Sequence, residues 1–284
     1  MNELKIMALF DHPNIAMLHT VLQDKKYIYF VMELLRGGEL FRHMKMNQRL
    51  QENWVKFYAA SVILAFSQIH ACKVVYRDLK PENIVLDDFG YAKIVDFGLA
   101  KELEEGRTWT ICGTPDYLAP EVITIAGHDY AVDFWTLGIF IYELASGSAP
   151  FASSGPMEAY EQILSGVISY PDYFGKSIID IIKKFLKQQP VERLGNTKGG
   201  IHAVQTHKWF TGFDWDGLYQ RNLNKNQIPI RVELMDVKDI KRSETVLDSD
   251  NCPESKWFPD LPDMLGVHQD RVHKLMSSTE VSKS

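Results

Sequence analysis

Residues 76–83 read Tyr-Arg-Asp-Leu-Lys-Pro-Glu-Asn, residues 96–98 read Asp-Phe-Gly, and residues 119–121 read Ala-Pro-Glu. Any one of these short matches would arise by chance in many proteins, whereas all three in this order and spacing would not. An isolated Asp or Asn in a turn usually caps the local backbone through its side chain. The joint occurrence of carboxylate, amide and ammonium groups instead predicts one chemical site, formed by Asp78, Lys80, Asn83 and Asp96.

The three motifs resemble the catalytic loop, the metal-binding motif and the end of the activation segment in eukaryotic protein kinases, with Tyr76 where His is usual. The resemblance covers roughly residues 3–218. Within the protein kinases, the chain resembles the AGC-type serine/threonine kinases. The resemblance is strongest to the cGMP-dependent kinases and second strongest to the cAMP-dependent catalytic subunit. The stretches that carry this preference are residues 192–196, 207–210 and 212–218. The resemblance implies an α+β, protein-kinase-like fold with a mainly α-helical large lobe and a truncated small β lobe.

The resemblance also implies transfer of the γ-phosphate of ATP, with ATP and Mg²⁺ as cofactors. That chemistry needs a carboxylate to accept and orient the substrate hydroxyl, and oxygen ligands to hold magnesium against the phosphates. Asp78 is expected to take the first role, and Lys80 to bring positive charge to the γ-phosphate. Asn83 and Asp96 are expected to ligate the metal. Further contacts to the nucleotide are expected from Glu33, Leu35, Glu39 and Glu82.

Substrate recognition in this family uses acidic side chains, and the matching positions here are Glu39, Glu82 and Glu143. A planar guanidinium pairs with a carboxylate through two hydrogen bonds, so the expected partners are proteins with Arg or Lys two and three residues before the target Ser or Thr. Solvated surface charge is the alternative interpretation, and it is weaker for Glu143, which lies inside the apolar run 139–144. The residues expected around the acceptor hydroxyl and the residue after it are Thr114, Ile111, Pro115 and Leu118.

The activation segment contains the sequence Arg-Thr-Trp-Thr at residues 107–110, and the family resemblance places a regulatory phosphate on Thr110. Arg77 and Lys101 are expected to hold that phosphate through charge-assisted hydrogen bonds. An ordinary exposed threonine is the alternative interpretation. The resemblance gives structural roles to three further residues: Asp133 is expected to hold the backbone of the catalytic loop, and Glu121 to pair with Arg193.

The parts that grip ATP in this family are not found in these 284 residues, which contain neither Gly-x-Gly-x-x-Gly nor a Val-Ala-Ile-Lys-like strand before the first helix. Glu3 matches the helix glutamate that would pair with that lysine. Loss of the backbone roof and of one cation predicts weak ATP binding and little activity for this chain. Two hypotheses stay open: a truncated form of an active kinase, and a non-catalytic module that binds peptides or a partner.

The domain organisation expected from the pattern is a remnant small lobe at residues 1–34, a large lobe at 35–213 and a partly disordered tail at 214–284. Helical periodicity is predicted within residues 1–10, 54–70, 130–145, 156–164, 178–187 and 201–209. A hairpin is predicted from residues 17–22 and 27–34 around a polar turn at 23–26, and short strands near residues 74–75, 84–86 and 93–95.

The composition excludes several other classes of protein. The formal net charge of −6 is spread along the chain without a basic stripe, so nucleic acid is not an expected partner. No apolar run is long enough to span a bilayer, and three widely spaced cysteines, Cys72, Cys112 and Cys252, predict reduced thiols. A cytoplasmic protein with no membrane span is therefore expected. A regulatory region or subunit is a further expected partner, and the histidines share no metal-ligand spacing.

Overall fold

The computed structural model describes residues 2–23, 27–104 and 106–232. Most of the polar turn predicted at residues 23–26 lies outside these ranges. The predictions for the segment after residue 232, which include Cys252 and an aromatic stretch at residues 257–261, also lie outside them. Within the described ranges the fold mixes helices with small antiparallel sheets, so the predicted α+β class is confirmed.

The first part of the chain forms helix α1 (Asn2–Ala8) and an antiparallel hairpin of β1 (Leu18–Gln23) and β2 (Ile28–Met32), which confirms the predicted helix and hairpin. Helix α1 buries Leu4, Ile6 and Met7 against the rest of the protein. Strand β2 is different, because four consecutive side chains, residues 28–31, are exposed. The hairpin therefore presents an unusually apolar surface.

The next elements bracket the motif stretch. They are β3 (Gly38–Glu39), α2 (Leu40–Met46), α3 (Glu52–Ala71), β4 (Val74–Val75), β5 (Ile84–Leu86), β6 (Ala92–Ile94) and β7 (Lys101–Glu102). Strands β3, β5 and β6 form one antiparallel sheet, and β4 pairs with β7. A short 3₁₀ turn, Pro81–Asn83, leads directly into β5. Residues 76–83 therefore lie between two anchored strands, β4 and β5.

The remaining helices are α4 (Pro120–Ile123), α5 (Ala131–Ser146), α6 (Pro156–Ser165), α7 (Lys176–Phe185), α8 (Gly200–Gln205) and α9 (Trp215–Tyr219). Helix α5 is apolar nearly all round and buried along almost its whole length, as expected for a central helix. It packs against α3 on one side and α7 on another. It ends at Gly147, whose φ of 93° is the left-handed conformation that favours glycine. None of the helices in the described ranges is long and apolar enough to cross a membrane.

The chain after Phe213 contains a structured segment that the periodicity missed. Asp214 caps α9 by accepting a hydrogen bond from the Gly217 amide at 2.8 Å, and Leu218 is completely buried. Further along, Ile230 is 7% exposed and belongs to the main core. A five-residue helix is too short to show a period, so the sequence pattern did not predict α9. The division into three units stays a prediction.

Candidate active site

Four polar side chains meet at the catalytic loop. Lys80 Nζ lies 3.0 Å and 3.2 Å from the two carboxylate oxygens of Asp78, which is buried. The Asn83 amide donates to the Asp78 backbone carbonyl at 2.9 Å and to its carboxylate at 2.7 Å. Lys80 Nζ also lies 3.4 Å from Thr114 Oγ1, on the activation segment. The structure thus brings Asp78, Lys80 and Asn83 together beside a residue more than 30 positions later.

One buried carboxylate, that of Asp133, holds the backbone of the catalytic loop through hydrogen bonds. Asp133 accepts hydrogen bonds from the backbone amides of Tyr76 at 2.9 Å and Arg77 at 2.8 Å. A third contact, 2.8 Å from His70 Nε2, was not foreseen from the sequence. Arg77 is held at a φ of 70°, a sparsely populated conformation for a residue with a side chain. Asp133 is fully buried, so its charge depends on these donors.

Asp96 lies on a second strained turn next to the catalytic loop. Its φ is 57°, its side chain is exposed, and its Oδ1 accepts a hydrogen bond from the Gly98 amide at 2.9 Å. The preceding residue is tied to the loop twice, because Val95 N donates to Asn83 O at 3.0 Å and the Tyr76 hydroxyl donates to Val95 O at 2.7 Å. Burial raises the pKa of Tyr76 well above its usual value, so the hydroxyl remains a donor.

The residues that could hold a metal ion are Asn83 and Asp96. The side-chain nitrogen of Asn83 donates to Asp78, and within the described residues neither its side-chain oxygen Oδ1 nor one oxygen of Asp96 has a hydrogen bond. No cluster of three His, Cys, Asp or Glu side chains occurs in the described part of the chain. Mg²⁺ at phosphate sites typically takes only one or two protein carboxylates and completes its shell with water and phosphate oxygens. The donor set therefore fits Mg²⁺.

Glu33 and Leu35, expected to contact the nucleotide from the hinge between the two lobes, differ in their surroundings. The Glu33 carboxylate accepts from Met17 N at 2.7 Å and pairs with Lys93 Nζ at 2.8 Å, so it is engaged within the protein. Lys93 was missed by the sequence analysis because nothing local links it to residue 33. Leu35 is half-buried, and Glu39 is exposed at the end of β3, beside the Pro81–Asn83 turn.

Two of the acids expected to face a peptide, Glu82 and Glu143, lie near each other. The Glu143 carboxylate accepts a hydrogen bond from the Tyr117 hydroxyl, and burial raises the pKa of Glu143. The Tyr117 hydrogen bond opposes that rise, and the nearby charge of Glu82 adds to it. Glu82 itself is exposed. Tyr117, two residues after Pro115 in the activation segment, was not assigned a role from the sequence.

The expected apolar pocket is only partly open. Ile111 is 54% exposed, Pro115 is half-buried, and Leu118 is only 5% exposed. Pro115 begins a 3₁₀ turn, Pro115–Tyr117, that carries the segment from Thr114 towards α4. Of the three apolar residues, Ile111 therefore offers the largest contact surface.

Arg77 and Lys101, the two cations expected to hold a phosphate on Thr110, both line an open cavity of about 570 Å³. Arg107, Glu102 and Glu104 line it as well, whereas Thr110 does not. Lys101 Nζ donates to Thr108 Oγ1 at 2.9 Å, and Thr108 Oγ1 lies 3.5 Å from Thr110 Oγ1. The Arg77 Nη1 atom is buried without a hydrogen-bond partner in the described part of the chain.

Thr108 connects the activation segment to the large lobe. It is 2% exposed and exchanges backbone hydrogen bonds of 2.9 Å and 2.8 Å with His128. Thr110, two residues later, is exposed. Lys101 therefore donates its hydrogen bond to Thr108 and not directly to Thr110. The sequence Thr-Trp-Thr did not indicate which of the two threonines Lys101 would contact.

The end of the activation segment is braced by a buried ion pair. Arg193 donates to both carboxylate oxygens of Glu121 at 2.5 Å and 2.6 Å. Arg193 is fully buried, and its remaining donors reach backbone carbonyls, including Lys187 O at 2.9 Å. Its guanidinium also lies 5.0 Å from the centre of the Trp135 ring. The structure thus joins two residues that are 72 positions apart.

Glu3 faces the site from α1. Burial raises the pKa of its carboxyl group, and the nearby charge of Asp96 raises it further. No salt bridge to Glu3 is found among the described residues. This carboxyl group therefore lies near Asp96, without a Lys or Arg side chain paired to it among the described residues.

Comparison with known proteins places this geometry in a family. The model of the protein kinase domain matches residues 1–210. The chain is 44% identical over 220 residues to cGMP-dependent protein kinase, isozyme 1, of Drosophila melanogaster, which covers 76% of this chain and 29% of that protein. It is 42% identical over 256 residues to the human cAMP-dependent protein kinase catalytic subunit PRKX, covering 90% of this chain and 69% of that protein.

A third relative, human cGMP-dependent protein kinase 2, is 44% identical over 225 residues, which cover 78% of this chain and 30% of that protein. The chain thus spans less than a third of the cGMP-dependent relatives that it matches. The resemblance to the cyclic-nucleotide-dependent kinases is confirmed, with both branches at similar identity.

Proposed function

This chain belongs to the protein kinase domain family, and from that premise we propose that it transfers the γ-phosphate of ATP to Ser or Thr residues of proteins. The observation that carries the proposal is the grouping of Asp78, Lys80 and Asn83 within hydrogen-bond distance of one another. Thr114, which we propose lies near the acceptor hydroxyl, is 3.4 Å from Lys80 Nζ through its Oγ1.

The proposed roles follow from the charges and the free atoms. Asp78 accepts the proton of the substrate hydroxyl and orients its oxygen, a task that a buried carboxylate held by two donors can perform. Lys80 provides positive charge where the transferred phosphate gains negative charge. Asn83 and Asp96 hold Mg²⁺, which when bound neutralises charge on the phosphate oxygens.

Nucleotide binding is proposed to involve the hinge at Glu33 and Leu35, together with the acids Glu39 and Glu82. Because the Glu33 carboxylate is engaged by Lys93 and Met17, its contribution would come through the backbone. Leu35 would supply apolar contact to the adenine. Glu39 and Glu82, both exposed, remain available to hydroxyl groups of the ribose or to a substrate cation.

Substrates are proposed to carry Arg or Lys two and three residues before the target. Glu82 and Glu143 support this preference, because their mutual repulsion is relieved when a guanidinium lies between them. The residue after the target would contact Ile111, with Pro115 and Leu118 behind it.

Phosphorylation of Thr110 is proposed to order the activation segment. The Nη1 atom of Arg77, which has no hydrogen-bond partner among the described residues, supports this role. Lys101 supports it too, because its Nζ contacts Thr108 Oγ1, which lies 3.5 Å from Thr110 Oγ1, and a phosphate on Thr110 would add nearly two negative charges for these cations to bind. Asp133 and the Glu121–Arg193 pair would hold the surrounding framework.

A non-catalytic peptide-binding role is the second candidate, and the observation that favours it is Glu3, which has no lysine partner among the described residues. Weak or absent transfer by these 284 residues is therefore part of the proposal. A regulatory region or subunit and a cytoplasmic location also remain proposed, the latter supported by the unbridged thiols of Cys72 and Cys112.

The test measures transfer of radiolabelled γ-phosphate from ATP to an Arg-Arg-x-Ser peptide by the chain and by Asp78→Ala. We expect slow transfer that falls at least about 100-fold in Asp78→Ala, and no comparable loss in Asp88→Ala, whose carboxylate pairs with Arg36 at the surface. Transfer that persists in Asp78→Ala would refute the proposed mechanism. Absence of transfer together with peptide binding that requires Glu82 and Glu143 would establish the second candidate.

A further inference from the structure

A groove of about 390 Å³ lies between α2, the beginning of α3 and the segment that follows α9. Its lining combines two arginines, Arg42 and Arg231, with the apolar side chains of Met46, Trp54 and Ile230. The residues of the catalytic loop and the activation segment do not contribute to it. It is therefore a separate surface from the site proposed above.

The walls of the groove are held in place by packing and hydrogen bonds. His43 Nε2 lies 2.7 Å from Gly37 O, and the Asn47 amide donates to His43 O at 2.8 Å. The opposite wall passes so close to Gly90, whose φ is 90°, that a Cβ there would lie 2.4 Å from Ile230 O. Both walls are thus anchored to the body of the protein, so the groove is preformed.

The charged side chains of the groove are positive. Arg42 and Arg231 are both exposed, and the described residues that line the groove include no acidic side chain. Neither guanidinium forms a salt bridge within the described residues, whereas Arg36, Arg193 and Arg221 are each paired with a carboxylate. Two unpaired guanidinium groups beside apolar surface favour an anionic ligand that also carries an apolar group.

We propose that this groove binds a short acidic peptide of a partner protein. An Asp or Glu of the peptide would pair with Arg42 and Arg231, and a neighbouring apolar side chain would pack on Trp54 and Met46. A peptide fits better than a nucleic acid, because two cations are few for a polyanion and the whole chain carries a net charge of −6.

Selection from a random peptide library displayed on phage, with the full 284-residue chain as bait, tests the proposal. Counter-selection uses the double variant Arg42→Glu/Arg231→Glu, and Lys225→Glu serves as the matched control because Lys225 is exposed and does not line the groove. We expect enriched peptides with Asp or Glu next to an apolar residue. Their affinity should fall at least about tenfold in the double variant and stay unchanged in Lys225→Glu.

The reciprocal exchange excludes a loss caused by misfolding. Replacing the acidic residue of the selected peptide with Lys should restore binding to the double variant, which only a folded groove can do. Failure to enrich any peptide that depends on Arg42 or Arg231 would overturn the proposal. So would enrichment that appears only after the acids among residues 233–254 are replaced with their amides, because this chain itself would then supply the occupant.

Discussion

Arg193→Ala is expected to lower the free energy of unfolding by about 3–5 kcal/mol, because it leaves a buried charge without its partner. Glu121 is only 6% exposed, and both of its carboxylate oxygens are bound by Arg193. Three backbone carbonyls, those of residues 131, 187 and 188, would lose a donor in the same variant. Each loss adds a desolvation cost, which places the effect towards the upper end of this range.

Two further variants separate charge from packing. Glu121→Gln combined with Arg193→Met removes both charges and fills much of the volume, so it should cost clearly less than Arg193→Ala. Arg36→Ala is the matched surface control. Its pair with Asp88 has side chains that are 33% and 30% exposed, and its loss should cost at most about 1 kcal/mol.

Urea unfolding followed by tryptophan fluorescence measures these differences. With a denaturant slope of about 3 kcal/mol per molar, Arg193→Ala should lower the midpoint by roughly 1–1.7 M, towards the upper value, and Arg36→Ala by less than about 0.4 M. If Arg193→Ala and Arg36→Ala shift the midpoint equally, or if the double variant is the least stable, the argument from an uncompensated buried charge is wrong.

Four other perturbations have defined outcomes. His12→Gln should make the stability of the protein less sensitive to acid. Burial lowers the pKa of His12 from the usual 6.5 to about 4, so the free energy of unfolding is highest above pH 6.5 and falls by about 3 kcal/mol as the pH drops towards 4. Urea midpoints measured across that pH range should show a smaller fall in the variant. Gly147→Ala should lower the free energy of unfolding, measured by thermal denaturation, by about 1–2 kcal/mol, because φ is 93° and a Cβ would lie 2.2 Å from Gln48 O. Gly155→Ala should change it little, because a Cβ there meets open space. Tyr76→Phe should lower the free energy of unfolding by about 1 kcal/mol, because the Val95 carbonyl loses its hydrogen-bond donor. It should also slow peptide phosphorylation, because Val95 precedes Asp96, and an unchanged rate would show that this hydrogen bond does not position Asp96. Thr110→Ala should reduce peptide phosphorylation relative to the unsubstituted protein phosphorylated at Thr110. It should change the free energy of unfolding in urea by no more than about 0.5 kcal/mol, since Thr110 is exposed.

Elements with a long repeating pattern were predicted well from the sequence. Helices α3 and α5 lie within one or two residues of their predicted ends, because each continues an apolar face over four or more turns. The short helix α9 was missed, since its five residues depend on one capping carboxylate and one buried leucine rather than on a period. Local pattern fails where a segment is ordered mainly by what it packs against.

Partners that are distant along the chain could not be predicted from local sequence. Lys93 reaches Glu33, and His70 reaches Asp133, without any spacing that marks them as pairs. Lys101 contacts Thr108 and not Thr110 because the Thr108 backbone is paired with His128, which turns its side chain towards the interior. These contacts depend on how separate elements pack.

The sequence alone predicted the chemistry, because Asp78, Lys80, Asn83 and Asp96 match, in type and order, the motifs with which protein kinases handle phosphate and a divalent cation. Only the tertiary structure decided how that chemistry is held. Asp133 lies 55 residues after Asp78 in the chain, yet its buried carboxylate sets the backbone on which Asp78 stands. The physical reason is that a buried charge is stable only where several donors converge, and such convergence is a property of packing rather than of any local run of residues.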